Sequence, residues 1–448
     1  MTSDERPPSG SESEPVVAPD VSYGEPTGPS TAENPSGAPA ELTPGRWRGV
    51  ARDVTQGNGL VAVLSVLVAL FIGSLLIIAS DPDVHETFGY LAARPGDFFV
   101  ASWESVRDAY SALFRGAVWN SRAPEFEGQI RPLTATLKFA APLILGGLGV
   151  GLAFRTGLFN IGGRGQMLLG GAAAGWVVLA WTPPQWSLPS FLFWVPAWLD
   201  PTEWIHPGAG VLAAIVVGGL WGALAGLLKA RTGAHEVIVT IMLNYVALYL
   251  VAYALSKQEL LQAPGGGQPK SSPMPESALL PQMLGDKHTL HSGFVIALLA
   301  VVAVWWLLNR SAIGYRFRAV GENPSAAQTA GISVARVYVG VMFISGALLG
   351  LAGVNQVLGT TTTGVTEGLD AGIGFDAITV ALLGRSSPVG ILFAGLLFGG
   401  LRAGSFTMQT SEGIPTDIIL VIQSLIVLFI AAPPLVRALF RLPSKEAK

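Results

Sequence analysis

Long apolar stretches separated by short polar segments dominate this chain of 448 residues. A helix needs about 20 apolar residues to cross a bilayer, and several stretches approach that length. We therefore predict an all-α fold, a polytopic transmembrane helical bundle of about ten spans. The stretch 371–384 is too short for a full crossing, so a re-entrant segment is its alternative. The predicted spans are 59–79, 133–154, 160–182, 209–228, 236–255, 293–309, 337–358, 371–384, 388–405 and 416–433.

Glycines recur at four-residue spacing within several of these spans. Small residues at that spacing let two helices approach closely inside a membrane, where hydrophobic association is weak. The spacing predicts tightly packed helices and says little about function. The glycines concerned are Gly218, Gly222 and Gly226 in one span, Gly346 and Gly350 in another, and Gly395 and Gly399 in a third.

The N-terminal segment differs from the rest of the chain. Residues 1–45 hold eight acidic residues and one basic residue, a net charge of −7, among many Pro, Ser and Gly. Such a composition buries too little apolar surface to fold. We predict a disordered tail over residues 1–50 and a transmembrane domain over 51–448. Arg46, Arg48 and Arg52 precede the first span and favour a cytoplasmic N-terminus, and an even number of spans then places the C-terminus there too.

The loop 310–336 is the polar centre of the sequence and contains a short helix with both ends marked. Asn323 suits the N-cap, Pro324 the first helical position, and Gly331 the left-handed residue that ends a helix. The predicted helix runs from Pro324 to Ala330. Two interpretations remain open: a docking element for another protein, or an amphipathic helix that rests on lipid headgroups.

Polar residues interrupt several spans, where an unpartnered polar group is costly. The glycine-rich break FNIGGRGQ, residues 159–166, is either a substrate-facing elbow or a tight turn between packed spans. Asp376 is close in sequence to Arg385, which suggests a neutralised pair. Other interrupting residues are Asn244, Asn355 and Gln356.

Recognisable catalytic patterns are missing from the sequence. It has no cysteine, which excludes disulfides and thiolate chemistry. Its five histidines form no H-E-x-x-H pair, and GGGQPKSS at 265–272 lacks the glycine that a P-loop needs before its lysine. No basic patch with interleaved aromatic residues indicates nucleic-acid binding. We predict a chain with no metal site, no cofactor and no catalytic activity.

Three passages together resemble one family, the permease subunits of bacterial ABC importers in the branched-chain amino acid and ribose group. The similarity covers about residues 130–435 and is strongest toward the nucleoside and simple-sugar branch. The passages are TLKFAAPLILGGLGVGLAFRTGLFNIGGRGQMLLGG at 136–171, HEVIVTIMLNY at 235–245 and FDAITVALLGRSSPVGILFAGLLFGGLRAG at 375–404.

The resemblance implies a role for the central loop. Such permeases present to their ATPase a loop with the pattern Glu-Ala-Ala, three residues, Gly. Here Ser325 replaces the Glu, while Ala326, Ala327 and Gly331 keep the spacing. The implied ATPase-docking residues are Asn323, Pro324, Ser325, Ala326, Ala327 and Gly331.

The resemblance also implies partners and a location. ATP and Mg would be bound by a separate ABC ATPase subunit. A second permease subunit, most simply a different chain, would complete the channel, and an extracytoplasmic substrate-binding lipoprotein would deliver substrate. The chain would lie in the bacterial cytoplasmic membrane, with both termini in the cytoplasm.

A nucleoside or a related simple sugar is the substrate that the resemblance implies. Its hydroxyls and base edges suit amides and aromatic faces, which predicts a substrate path along the residues named below. The family often has an acid where Arg164 stands, so Arg164 receives no ligand role. Alternatives are an ion-coupled secondary transporter of a small polar solute, or an ABC permease for ribose or branched-chain amino acids. The predicted path residues are Asn160, Gln166, Asn244, Asn355, Gln356 and Phe375.

Overall fold

The computed structural model of the chain describes residues 58–184, 203–265, 267–285 and 287–441. The predicted tail over residues 1–50 lies outside the described residues. Helices dominate the described part, which confirms the all-α fold. In chain order the helices are α1 Asn58–Ser80, α2 Pro82–Phe88, α3 Pro95–Ala117, α4 Phe126–Phe154, α5 Gly163–Ala180, α6 Ile205–Thr232, α7 Glu236–Leu255, α8 Gly293–Arg310, α9 Ala312–Glu322, α10 Pro324–Thr329, α11 Val334–Val354, α12 Ile373–Leu383, α13 Pro388–Glu412, α14 Asp417–Ala431 and α15 Pro433–Leu439.

The number of spans is about eight, so the predicted ten is wrong. Within the described ranges, seven helices are long and apolar enough to cross a membrane, and the bent pair α14–α15 makes an eighth. The helix α5 falls short because Arg164, Gln166 and several glycines lower its hydropathy. The helix α12 has 11 residues, which at 1.5 Å per residue is about 16 Å and too short for a full crossing.

The helices α6 and α11 pack against each other through their glycines. A Cβ atom built on Gly222 would lie 2.2 Å from the carbonyl oxygen of Met342, and one on Gly218 would lie 2.6 Å from that of Gly346. A third close approach brings Gly350 of α11 to the carbonyl of Ala214 of α6. The backbones touch because these residues lack side chains, which confirms the packing predicted from the glycine spacing.

The polar connections gather at two opposite ends of the bundle. At one, here called the docking end, α9 meets the turn after α4, and Arg155 in that turn bonds to the turn between α12 and α13. At the other, here called the far end, the connection 256–292 meets 361–372 through bonds from Ser271 N to Val365 O (3.0 Å) and Met274 N to Thr362 O (2.9 Å). The 18 residues of α8 join the two ends.

Candidate functional site

The short helix α10 has the caps that the sequence predicts. The Oδ1 of Asn323 accepts a hydrogen bond from the N–H of Ala326 at 3.0 Å, and Pro324 is the first helical residue. Gly331 has φ +82°, in the left-handed region, and the N–H of Ile332 donates to the carbonyl of Ala327 at 3.0 Å. The helix ends at Thr329, one residue before the predicted end, because Ala330 already serves as the C-cap.

Most of α10 is open to solvent. Asn323, Pro324, Ser325, Ala326 and Gly331 are exposed. The sixth predicted docking residue, Ala327, is 4% exposed and packs into the hydrophobic core. The helix therefore rests on the bundle by one residue and presents its other face outward.

The preceding helix α9 was missed by the sequence analysis. Its N-cap is Ser311, whose Oγ accepts from the N–H of Gly314 at 2.9 Å. Phe317 and Val320 are buried in the same core as Ala327. Apolar residues at this three-residue spacing are typical of an amphipathic helix, and that signal was present in the sequence. The helices α9 and α10 thus form one unit, here called the docking unit, which is fixed to the bundle.

The end of α9 rests directly on the backbone of the turn that follows α4. A Cβ atom on Gly321 would lie 2.3 Å from the carbonyl oxygen of Arg155 and 3.0 Å from the Cα of Thr156. The Nε of Arg155 in turn donates to the carbonyl of Ser386, in the turn between α12 and α13, at 3.0 Å. We call this contact between Gly321 and Arg155–Thr156 the joint. It connects the docking unit to the FNIGGRGQ break, which begins three residues after Thr156.

Inside the bundle, four buried side chains form a hydrogen-bonded cluster, here called the amide clamp. The Nδ2 of Asn160 donates to the Oε1 of Gln166 (2.9 Å) and to the Oγ of Ser345 (2.8 Å), and the Nε2 of Gln166 donates back to the Oδ1 of Asn160 at 3.1 Å. Asn244 of α7 accepts from the N–H of Gly165 at 2.8 Å and donates to the carbonyl of Ile161 at 2.9 Å. The clamp therefore ties the break to α7 and α11.

The clamp satisfies the polar groups that the glycine-rich break exposes. Asn160, Gln166 and Ser345 are at most 1% exposed and Asn244 is 6% exposed. In this conformation their bonding atoms are used within the protein, so the break is held as a tight, packed turn. A substrate-path role for Asn160, Gln166 and Asn244 stays a prediction. Ser345, which the sequence analysis missed, is an ordinary helical serine until the fold places it beside Asn160.

Two helices begin beside the clamp with their N-termini together. A Cβ on Gly374 in α12 would lie 2.5 Å from the Cα of Arg164 in α5, so the backbones touch. The Nε of Arg164 lies 3.3 Å from the Oδ1 of Asp370, which is buried just before α12. Helix N-termini carry partial positive charge. Paired half-helices of this kind are a recurring setting for transport sites.

An exposed polar and aromatic face, here called the open face, surrounds these N-termini. Phe375 is 47% exposed, and the charged side chains of Arg164, Asp376 and Arg402 are 27–32% exposed. Asp376 lies 4.0 Å from Arg402. The predicted pair with Arg385 is therefore wrong, because the partner of Asp376 is Arg402. Asp376 of α12 and Arg402 of α13 come together because the fold packs these two helices against each other, and their distance in sequence does not predict that contact. Exposed charges are costly against lipid, so this face meets water or another protein.

The remaining predicted path residues lie elsewhere, where α11 continues as a π-helical turn over Asn355–Thr360. Gln356 donates from Nε2 to the Oγ1 of Thr361 at 3.1 Å. Among the described residues, the buried Oδ1 of Asn355 has no hydrogen-bond partner. Of the six predicted path residues, the structure thus joins Asn160, Gln166 and Asn244 in the clamp, leaves Phe375 on the open face, and sets Asn355 and Gln356 apart.

Most of the chain matches one family of membrane permeases. Residues 133–431 match the family model for the branched-chain amino acid transport system permease component. The chain belongs to this permease family. It is a multi-pass membrane protein, and membership implies that it works with an ATPase and a second permease.

Individual relatives agree with the family. The guanosine ABC transporter permease protein NupP of Bacillus subtilis (strain 168) is 37% identical over 84% of this chain and 94% of its own length. The nucleoside ABC transporter permease protein NupB of Lactococcus lactis is 35% identical over 71% of this chain and 84% of its own length. The glucose ABC transporter permease protein TsgB13 of Haloferax volcanii is 30% identical over 82% of this chain and 86% of its own length. No solved structure matches the chain.

Proposed function

We propose that this chain is the permease subunit of an ATP-driven importer that carries nucleosides, or a related simple sugar, across the bacterial cytoplasmic membrane. The observation that carries the proposal is the capped, exposed helix α10, fixed to the bundle by Ala327 and by the joint at Gly321. The chain then performs no chemistry. A partner ATPase binds ATP and Mg and docks at Asn323, Pro324, Ser325, Ala326 and Gly331.

The joint suggests how force enters the bundle. When the ATPase domains close, they push α10 and α9 against the carbonyl of Arg155. Backbone touches backbone there, so the contact transmits displacement with little compliance. The amide clamp then moves the FNIGGRGQ break together with α7 and α11, because three hydrogen bonds link Asn160 and Asn244 to both sides.

The open face supplies a path for a neutral polar substrate. A second permease that faces Phe375, Arg164 and Arg402 would enclose a water-accessible channel between the two chains. The two arginines already have carboxylate neighbours, Asp370 and Asp376, so the face offers hydrogen bonds and an aromatic surface with little net charge. That chemistry suits a nucleoside or sugar better than an anion. The names of the relatives, which print guanosine, nucleoside and glucose, support the same class.

The orientation follows from the same proposal. The docking end faces the cytoplasm, and the far end receives substrate from an extracytoplasmic binding lipoprotein. Both termini then lie in the cytoplasm. A heterodimer with a different permease fits the relatives, since Bacillus subtilis has two guanosine ABC transporter permease proteins, NupP and NupQ, that both match this chain.

A single bulky residue on α10 tests the docking assignment. Ser325 is exposed, so Ser325→Tyr leaves the fold intact and blocks the approach of the ATPase. We expect ATP-dependent guanosine uptake by membrane vesicles to be lost, together with co-purification of the ATPase. The matched control is Ser411→Tyr, an exposed serine at the far end, which retains both. Wild-type uptake by Ser325→Tyr would overturn the docking assignment.

A further inference from the structure

A separate cavity of about 760 Å³ opens at the far end of the chain. Four parts of the fold surround it: the connection before α8, the end of the π-helical turn and the residues that follow it, Lys138 of α4, and Glu203 just before α6. Its volume is in the range of small-molecule sites, about 300–1,000 Å³. None of the docking residues and none of the amide clamp lines it.

Two residues that line the cavity each have a buried polar atom with unused hydrogen-bonding capacity. His291 lines it and is 2% exposed, and its ring packs against Gly359. Its Nδ1 accepts from the N–H of Gly293 at 3.2 Å, which places the ring proton on Nε2. Among the described residues, neither the Nε2 of His291 nor the Oγ1 of Thr360 has a partner. Buried polar atoms without partners are rare in folded proteins. Both atoms lie just behind the cavity surface, so a ligand can bond to them after a small side-chain movement.

The charged side chains around the cavity leave a small negative excess. Lys138 lines one part of it, and the carboxylates Glu203 and Glu276 line another. Burial, with the nearby ammonium of Lys138, lowers the pKa of His291 to about 4, so the imidazole is neutral. With two carboxylates against one cation, the cavity disfavours a free anion, and its uncharged polar groups offer hydrogen bonds. It suits a neutral ligand with several hydroxyl groups.

The cavity is also adjacent to the open face. The Nζ of Lys138 lies 4.8 Å from the ring centre of Phe139, and the guanidinium of Arg402 lies 5.8 Å from the same ring. Arg402 is part of the open face, where it pairs with Asp376. A ligand in the cavity is therefore a short step from the proposed path.

We propose that this cavity is an entry site within the single permease chain, which binds the sugar ring of an incoming nucleoside before it moves to the open face. Thr360 and His291 hydrogen-bond the ribose hydroxyls, and Lys138 marks the exit toward the path. The inference rests on the proposed function, because it takes its ligand class from there. It assigns a site to residues that the sequence analysis did not select.

The first test measures affinity in the complete transporter. Thr360→Val removes the hydroxyl and keeps the shape, so the KM for guanosine uptake should rise about tenfold, as for a lost hydrogen bond of about 1–1.5 kcal/mol. The matched control is Thr410→Val, an exposed threonine at the end of α13 that should keep the wild-type KM. A wild-type KM in Thr360→Val, with uptake intact, overturns the entry site. Absence of guanosine uptake by the wild-type transporter would instead reject the proposed function.

The second test exploits the absence of cysteine in the chain. Thr289 lines the cavity and is exposed, so Thr289→Cys gives a single reactive thiol at its rim. Saturating guanosine should slow labelling of this thiol by a membrane-impermeant methanethiosulfonate at least fivefold in whole cells. Labelling of Thr410→Cys should be unaffected. Equal labelling of Thr289→Cys with and without guanosine would contradict the proposal, even if transport is normal.

Discussion

Replacing Gly321 with alanine tests whether the docking unit drives the bundle through the joint. The added Cβ would lie 2.3 Å from the carbonyl oxygen of Arg155, about 1.2 Å short of an ordinary contact of about 3.5 Å. Both atoms belong to rigid backbone positions, so no side-chain rotation relieves the overlap. Overpacking of this kind costs about 1–3 kcal/mol. If that cost falls on one conformation of the transport cycle, it shifts the equilibrium about 5- to 150-fold.

The assay is coupled transport by the reconstituted transporter, with ATP hydrolysis and guanosine uptake measured on the same liposomes. We expect Gly321→Ala to keep hydrolysing ATP while the guanosine carried per ATP falls at least fivefold. Gly340→Ala is the control, because it makes the same chemical change in α11. A Cβ atom added there would have no described atom within 4 Å beyond its own stretch of helix. There alanine favours the helix by about 0.5–1 kcal/mol, and transport should be unchanged.

Wild-type coupling in Gly321→Ala would show that the joint does not drive the bundle. It would mean that displacement reaches the bundle by a route other than the contact with Arg155. A fall in both hydrolysis and uptake, accompanied by loss of protein from the membrane, would place Gly321 in folding instead. Membrane content measured alongside transport separates these results.

Three further predictions concern the clamp, the helix packing and acid stability. Asn244→Ala removes the partner of the buried N–H of Gly165 and of the half-buried carbonyl of Ile161, so the transporter should unfold at lower temperature, with about 1–3 kcal/mol lost for the buried donor. Normal thermal stability with weaker guanosine binding would instead place Asn244 in the path. Gly222→Leu inserts a side chain where even an added Cβ would lie 2.2 Å from the carbonyl oxygen of Met342, so folded protein should disappear from size-exclusion profiles. Gly208→Leu, with open space around it, should behave as wild type. The pKa of His291 is lowered from 6.5 to about 4 in the fold. The neutral imidazole therefore stabilises the protein fully above pH 6.5 and progressively less as the pH falls toward 4. His291→Asn should flatten the dependence of melting temperature on pH in that window, and an unchanged slope would be evidence against a buried neutral imidazole.

The local signals in the sequence predicted local structure well. Asn323, Pro324 and Gly331 lie within a few residues of the groups they contact, so their capping roles follow from residue type and spacing alone. The four-residue glycine spacing likewise predicted close helix packing, which the structure shows between α6 and α11. These features depend on the chain's immediate neighbourhood, and the structure confirms them.

Features that depend on distant segments were not predictable in the same way. Ser345 joins Asn160 across 185 positions of sequence, and Asp370 pairs with Arg164 across 206. Asp376 pairs with Arg402, although Arg385 is nearer in sequence, because α12 and α13 lie side by side. The count of ten spans failed for a different, local reason: α5 carries Arg164 and Gln166, which lower its hydropathy, and α12 is too short to cross.

The most direct test of the proposed importer is guanosine uptake into liposomes that contain the complete transporter, with the energy source varied. An ATP-driven permease predicts uptake that requires ATP and Mg, that is lost in Ser325→Tyr, and that continues when proton and sodium gradients are collapsed. Uptake driven by a proton or sodium gradient without ATP would show that the chain is an ion-coupled secondary transporter and not an ATP-driven permease.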